Sequence, residues 1–197
     1  MQHNEIDRLI GLFAELPTIG KKTASRIVLE LLAKKKPLMH KLSEGLEQAA
    51  QAVKTCEICH NLDVTSPCGI CSSEKRQKNI ICIVENIEDL FAIEQGQNYN
   101  GTYHVLGGAL SAVKGISPED LNLDSLEKRI NNEQIDELII AVSASMEGQT
   151  TSFFLADLFK DKVKQISKLG YGLPLGGEIG YLDEGTINAA FEARKEF

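Results

Sequence analysis

ICIVENIEDLFAIEQ, residues 81–95, decides the fold class. Its first four residues are apolar and mostly β-branched, the composition of a strand buried on both faces. The run stops at Glu85, and a helix over 87–95 follows at once, with Glu88 and Asp89 on its first turn. A buried strand opening directly into a helix is half of a βαβ unit. The same alternation recurs downstream: YHVL (103–106) and DELIIAV (136–142) are further short apolar runs, and helical stretches lie at 123–130 and 153–159. This spacing predicts an α/β domain over residues 78–167 with a mainly parallel sheet.

Residues 1–55 carry a different period. Ile6, Leu9, Ile10 and Phe13 follow the helical i, i+3, i+4, i+7 pattern, and Ala24, Ile27, Val28, Leu31 and Leu32 repeat it after a break at LPTIG (16–20). A third apolar stripe runs through Leu38, Leu42, Leu46, Ala49, Ala50 and Val53, and Pro37 suits its start. LPTIGKKTASRIVLELL (16–32) reads as two helices joined by a short Pro/Gly turn, a helix-hairpin-helix. In such a hairpin the turn and the first N–H groups of the second helix face outward and can hold a phosphate. Lys22 and Arg26 lie i, i+4 near that N-terminus, with Lys21 beside them. A site of this kind reads backbone rather than bases. Taken alone, the motif is equally an ordinary αα-hairpin with a solvated basic face. GKKT (20–23) resembles the end of a phosphate-binding P-loop, but Glu15 stands where that pattern needs glycine and no strand precedes it, so nucleotide binding is rejected there.

Charge is unevenly distributed. The chain carries a net −7, yet residues 1–55 are at +3 and residues 56–197 at −10. Between Lys21 and Lys41 seven basic residues face the single acid Glu30. Local field governs where a polyanion docks, so DNA is expected at one end of the chain and repelled by the other.

Between these segments lies CEICHNLDVTSPCGIC (56–71), a C-x2-C-x8-C-x2-C pattern without periodicity. Two thiolates separated by two residues converge on one ion from a tight knuckle, and two knuckles complete a tetrahedron. Cys56, Cys59, Cys68 and Cys71 are therefore expected to hold one Zn²⁺ per chain, with no position open for water, as a structural site. His60 adjoins Cys59 but reads as a bystander with four thiolates present. Clustered cysteines and the absence of an apolar leader in MQHNEIDR point to a reducing, cytoplasmic setting, and no apolar run is long enough to span a bilayer. From Leu169 onward a Gly/Pro-rich loop, GYGLPLGGEIG (170–180), precedes a short final helix around 186–194.

Helix-hairpin-helix, four-cysteine module and a strand ending in Glu, in that order, resemble the RecR family, whose α/β unit is a Toprim domain. YNGTYHVLGGALSAVKGISPED (99–120), the Glu147–Gly148 pair of SASMEGQTT, GLPLGGEIGYLDEGTI (172–187) and the closing Ala193–Arg194 extend the likeness over nearly the whole chain. The resemblance implies an α+β multi-module chain: a helix-hairpin-helix DNA-binding region (1–55), a C4 zinc finger (56–72), the Toprim domain (78–167) and a C-terminal loop and helix (168–197) used in subunit contact. It implies a non-enzymatic, nucleoid-associated DNA-repair and recombination protein. Such a protein acts with RecO and RecF to load recombinase at single-stranded gaps, and assembles into a ring-like tetramer able to encircle single- or double-stranded DNA without sequence specificity.

Two positions depart from the family hairpin: Thr18 stands where glycine is usual, and Lys21 where proline is frequent. Catalytic Toprim domains pair the strand-end Glu with a D-x-D after a later strand to hold Mg²⁺. Here LIIAV runs into Ser143-Ala144-Ser145, as in the RecR type. Two rival readings remain: a Mg²⁺-dependent Toprim nuclease or primase using Glu85, Glu88 and Asp89, and a pure protein adaptor. As a third role for the same three acids, the face they form is expected to dock a basic partner, RecO by resemblance; read alone, acids on a helix start are usually dipole-complementing, solvated residues.

Overall fold

The computed structural model describes residues 4–170, 172–174 and 176–194, and the chain divides into two compact units after Val53. Tyr171 and Leu175 of the Gly/Pro-rich loop lie outside the described residues.

The first unit is three helices, α1 (Glu5–Ala14), α2 (Lys21–Lys34) and α3 (Lys36–Ala52). Asn4 caps α1 by accepting the Asp7 N–H at 3.0 Å, satisfying one of the amides a helix start leaves unpaired. Ala24, Val28 and Leu31 form the buried stripe of α2. Pro37 occupies the first turn of α3, where its missing N–H has no helical acceptor to lose. Between α1 and α2 the Ile19 N–H donates to Leu16 O at 3.1 Å, and Thr18 has φ +67°. Proline at the second position and a left-handed residue at the third are the signature of a type II turn, which favours glycine where Thr18 stands.

The second unit begins with a small module: strands β1 (Lys54–Thr55) and β2 (Leu62–Asp63) pair antiparallel, and a single turn of helix, α4 (Gly69–Ser72), follows. The α/β body then runs β3 (Gln77–Val84), α5 (Ile87–Gln95), β4 (Gly101–Val105), α6 (Leu123–Asn132), β5 (Glu137–Ala141), α7 (Met146–Phe159) and β6 (Gln165–Lys168). The four strands are all parallel, in the order β4-β3-β5-β6. A last helix, α8 (Glu184–Glu192), is capped by Asp183, whose carboxylate accepts the Thr186 N–H.

Period-two alternation sorts the strand residues onto two faces. Ile81, Ile83, Leu138 and Ile140 pack with Leu126 and Ile130 of α6 and Leu155 and Phe159 of α7. Cys82, Val84, Tyr103 and Val105 pack with Leu90 of α5. Both faces are covered, which explains why ICIV reads as a continuous apolar run. Each large side chain so buried contributes about 1.5–3 kcal/mol of transfer free energy. The fifth cysteine, Cys82, belongs to this core, and burial pushes its thiol up to about 12.

Two arginines clip the edge strand. Arg129 of α6 is buried and donates to Tyr103 O at 2.8 Å and to Thr102 Oγ1 at 3.0 Å. Arg76 pairs with Glu94 of α5, which also accepts the Tyr103 hydroxyl at 2.8 Å. The hydrogen bond to Arg76 holds the Glu94 carboxyl below the usual carboxylate range. Among the described residues no helix is long and apolar enough to cross a membrane.

Candidate functional site

Three groups of side chains carry chemistry. The first lies on α2. Its N-cap is Gly20, which makes no side-chain cap, so among the described residues the opening amides of the helix have no side-chain acceptor. Lys21, Lys22 and Arg26 lie there with Lys21 and Lys22 exposed and Arg26 on the next turn. Lys34, at the other end of α2, pairs with Glu30 at 3.1 Å. The cations nearest the free amides are those at the N-terminal end, where the macrodipole also favours an anion.

The second group is the cysteine cluster. The Sγ atoms of Cys56, Cys59, Cys68 and Cys71 lie within 4.8 Å of one another and all four residues are buried. A tetrahedral zinc with bonds of about 2.3 Å implies sulfur–sulfur edges of about 3.8 Å, and Cys59 and Cys68 stand 3.6 Å apart. The Cys68 N–H donates to Cys56 Sγ at 3.3 Å, the kind of bond that stabilises a thiolate ligand. Hydrogen bonding from Cys71 first, and then from the Asn61 backbone, lowers the Cys59 thiol, while burial raises that of Cys68. A dication bound among the four sulfurs would draw their thiol protons off. The donor set fits Zn²⁺: four soft ligands, one enclosure, no opening for water.

The loop between the knuckles is tied down by residues that spacing alone does not reveal. The Asp63 carboxylate accepts the Gly69 N–H at 2.7 Å and the Val64 N–H at 2.6 Å, which holds it below its ordinary range. Ser66 Oγ accepts the Glu57 N–H at 3.1 Å, bridging the two knuckles. His60 contacts the α/β body: its Nε2 lies 2.7 Å from Ser125 Oγ of α6. No local sequence signal marks these partners, because the closed loop and its packing on α6 choose them.

The third group sits at the carboxyl end of the sheet. From β3 the chain turns one way to β4, and from β5 it turns the other way to β6, so the switch in strand order falls between the ends of β3 and β5. Crevices at such switch points are where open α/β sheets bind ligands. Glu85 lies there, and its carboxylate accepts the Ser143 N–H at 3.4 Å. Asn86 caps α5 by accepting the Asp89 N–H at 2.9 Å, which presents Glu88 and Asp89 on the first turn. Partial burial, joined by the charges of Glu85 and Glu88, lifts the Asp89 carboxyl above the usual range. After β5 the side chains are hydroxyls: Ser143 Oγ and Ser145 Oγ are 2.7 Å apart, and Ser145 caps α7. Gly148 is required by the same turn, since a Cβ there would stand 2.1 Å from Ser143 O. Glu147, on the first turn of α7, adds a fourth acid to this end of the sheet.

Comparison with known proteins covers almost the full chain. Family profiles match for the RecR helix-hairpin-helix over residues 6–50, the RecR four-cysteine zinc finger domain over 53–73, the Toprim domain over 79–169 and the RecR C-terminal region over 172–195. The chain is 48% identical over 190 residues to the recombination protein RecR of Anaplasma marginale, covering 96% of this chain and 97% of that one. It is 47% identical to the protein of that name from Anaplasma phagocytophilum, over 96% and 98% of the two chains. Against the Rhodospirillum rubrum protein the identity is 46% over 195 residues, 99% of each.

Proposed function

The chain belongs to the RecR family of recombination proteins, and from that premise we propose that it is a non-catalytic DNA clamp of recombinational repair. In this reading it binds single- and double-stranded DNA through phosphate contacts and acts with RecO and RecF to promote recombinase loading at single-stranded gaps. The observation that carries it is the glycine-capped N-terminus of α2, with Lys21, Lys22 and Arg26 grouped around amides that lack side-chain partners. Such a site neutralises phosphate without reading sequence.

The other modules take supporting roles. Zinc, held by the four cysteines, has a closed coordination sphere and serves structure. Around Glu85, Glu88 and Asp89 the sheet end serves docking of a basic partner, RecO first, since Ser143 and Ser145 supply hydroxyls where a Mg²⁺ site needs further carboxylates. Assembly into a ring-like tetramer is supported by apolar surface on α3, which has no buried residue and exposes Leu38, Leu42 and Leu46, the last by 71%. The C-terminal segment 168–197 is the second subunit contact in this reading, with Tyr181 and Phe191 exposed. The working place is the cytoplasm, at the nucleoid.

The test is a salt titration of DNA binding. Each phosphate neutralised contributes about 0.7 to the log–log slope on single strands and about 0.9 on duplex. Lys22→Ala with Arg26→Ala should weaken binding on every DNA sequence alike and flatten the slope by about 1.4 or about 1.8 per engaged subunit. A triple alanine change at Lys34, Lys35 and Lys36 should matter less. If the triple variant loses affinity while the hairpin variant keeps affinity and slope, the DNA lies at the other end of α2.

A further inference from the structure

We propose that His60 is a latch through which the zinc knuckle fastens the edge strand β4 and, through that strand, the backbone at Glu85. Among the described residues β4 has a sheet neighbour on one side only. On its open side the Val105 N–H donates to Cys59 O at 2.9 Å, so a ligand residue of the knuckle takes the place of the missing strand. The next two amides face inward: Leu106 N–H donates to Val84 O at 2.9 Å and Gly107 N–H to Glu85 O at 3.0 Å. Three consecutive amides therefore run from the metal knuckle to the turn that carries Glu85.

The residue after Cys59 holds this arrangement in place. His60 has φ +62°, a left-handed conformation uncommon for a non-glycine residue. That geometry sends its imidazole toward α6, where Nε2 is 2.7 Å from Ser125 Oγ. Ser125 gives its own proton to Asn122 O at 3.1 Å, leaving its oxygen to accept from His60. His104, wholly buried on β4, bonds the same Asn122 carbonyl at 2.8 Å and meets the His60 ring edge-on at 5.6 Å. Asn122 closes the set, its side-chain amide donating to Val105 O at 3.0 Å and its N–H to Leu106 O at 2.9 Å. From the second knuckle, Ile70 packs against both the cysteine cluster and the core of β3 and β4. An unusual backbone conformation held by this many partners is the pattern of a position with a task.

The latch itself is independent of what docks at Glu85; only its consequence for partner binding rests on the docking role proposed above. The experiment is hydrogen exchange on the full-length, zinc-loaded protein, comparing wild type with His60→Asn and Ser125→Ala. Asparagine tolerates the left-handed backbone, so the first variant removes the imidazole alone. Ser125→Ala removes its acceptor without altering the knuckle. Both should keep one zinc per chain and an unchanged tetrahedral thiolate spectrum after cobalt substitution. The amides of Val105, Leu106 and Gly107 should exchange roughly three- to tenfold faster, as loss of one net hydrogen bond implies, while those joining β5 to β6 stay as they are. Unchanged exchange at 105–107 in either variant overturns the latch, as does loss of zinc from His60→Asn or uniformly faster exchange across the sheet. Local loosening supports the latch whatever the RecO affinity, and the docking role is tested apart from it by charge reversal at Glu88 and Asp89.

Discussion

Replacing Thr18 with glycine should stabilise the hairpin that presents the DNA-binding helix. Thr18 sits at φ +67° in a turn whose Ile19–Leu16 hydrogen bond is formed. A residue with a Cβ in the left-handed region costs about 1–2 kcal/mol through crowding with the following carbonyl. Glycine avoids that clash but loses about 0.5–1 kcal/mol more conformational entropy on folding. The balance favours glycine by roughly 0.5–1 kcal/mol. For a chain of this length, one kcal/mol moves the midpoint by about 2–4 °C, so the expected rise is about 1–4 °C. Thermal unfolding of the full chain followed by far-UV circular dichroism measures it, with Thr18→Ala as control. Alanine keeps the Cβ and should recover little of the gain. A glycine variant that melts at or below the wild-type temperature, or an alanine variant that matches glycine, would refute the assignment of strain to this residue.

Three further outcomes are expected. Cys68→Ala removes a zinc ligand from beside Cys56, whose sulfur accepts the residue-68 N–H, so it should lower bound zinc well below one per chain and destabilise or aggregate the protein; metal analysis beside a melting curve checks this. No Mg²⁺-dependent nicking or relaxation of DNA should accompany the purified protein, and a cleavage activity that disappears in Glu85→Ala would overturn the non-catalytic reading. Charge reversal at Glu88 and Asp89 should weaken RecO binding, most at low salt. Because the Asp89 carboxyl is raised, wild-type affinity should begin to fall, as pH is lowered, above the ordinary carboxylate range. Binding unchanged by the reversal would leave these acids as a solvated helix start.

Much of this is legible in the sequence. The strand–helix alternation from residue 79 to 142 appears as β3, α5, β4, α6 and β5, because burial on both sheet faces leaves apolar runs that turn residues interrupt. The cysteine spacing was legible for a similar reason: two thiolates three positions apart converge locally, whatever surrounds them. By contrast, β6 carries only Ile166 as an apolar signal in QISK and becomes a strand by pairing with β5. Helix α7 starts at Met146, several residues ahead of its apolar stretch, because Ser145 caps it and Gly148 admits the Ser143 carbonyl. His60 had no signal at all, its partners lying on α6 and β4.

By itself, then, the sequence determined most of the longer helices and the buried strands, where a metal can sit and where positive charge gathers. Each of those follows from period, spacing or composition within a short window. Only the tertiary structure decided the strand order β4-β3-β5-β6, and with it the meeting of Glu85 with the serine turn after β5. It likewise decided that Cys59 would offer its carbonyl to Val105 on the open edge of β4. Backbone amides and carbonyls are the same in every residue, so which of them pair across the chain leaves no mark in composition. The pairing is selected by the two apolar faces of the sheet closing on their helices, a long-range event that no local pattern encodes.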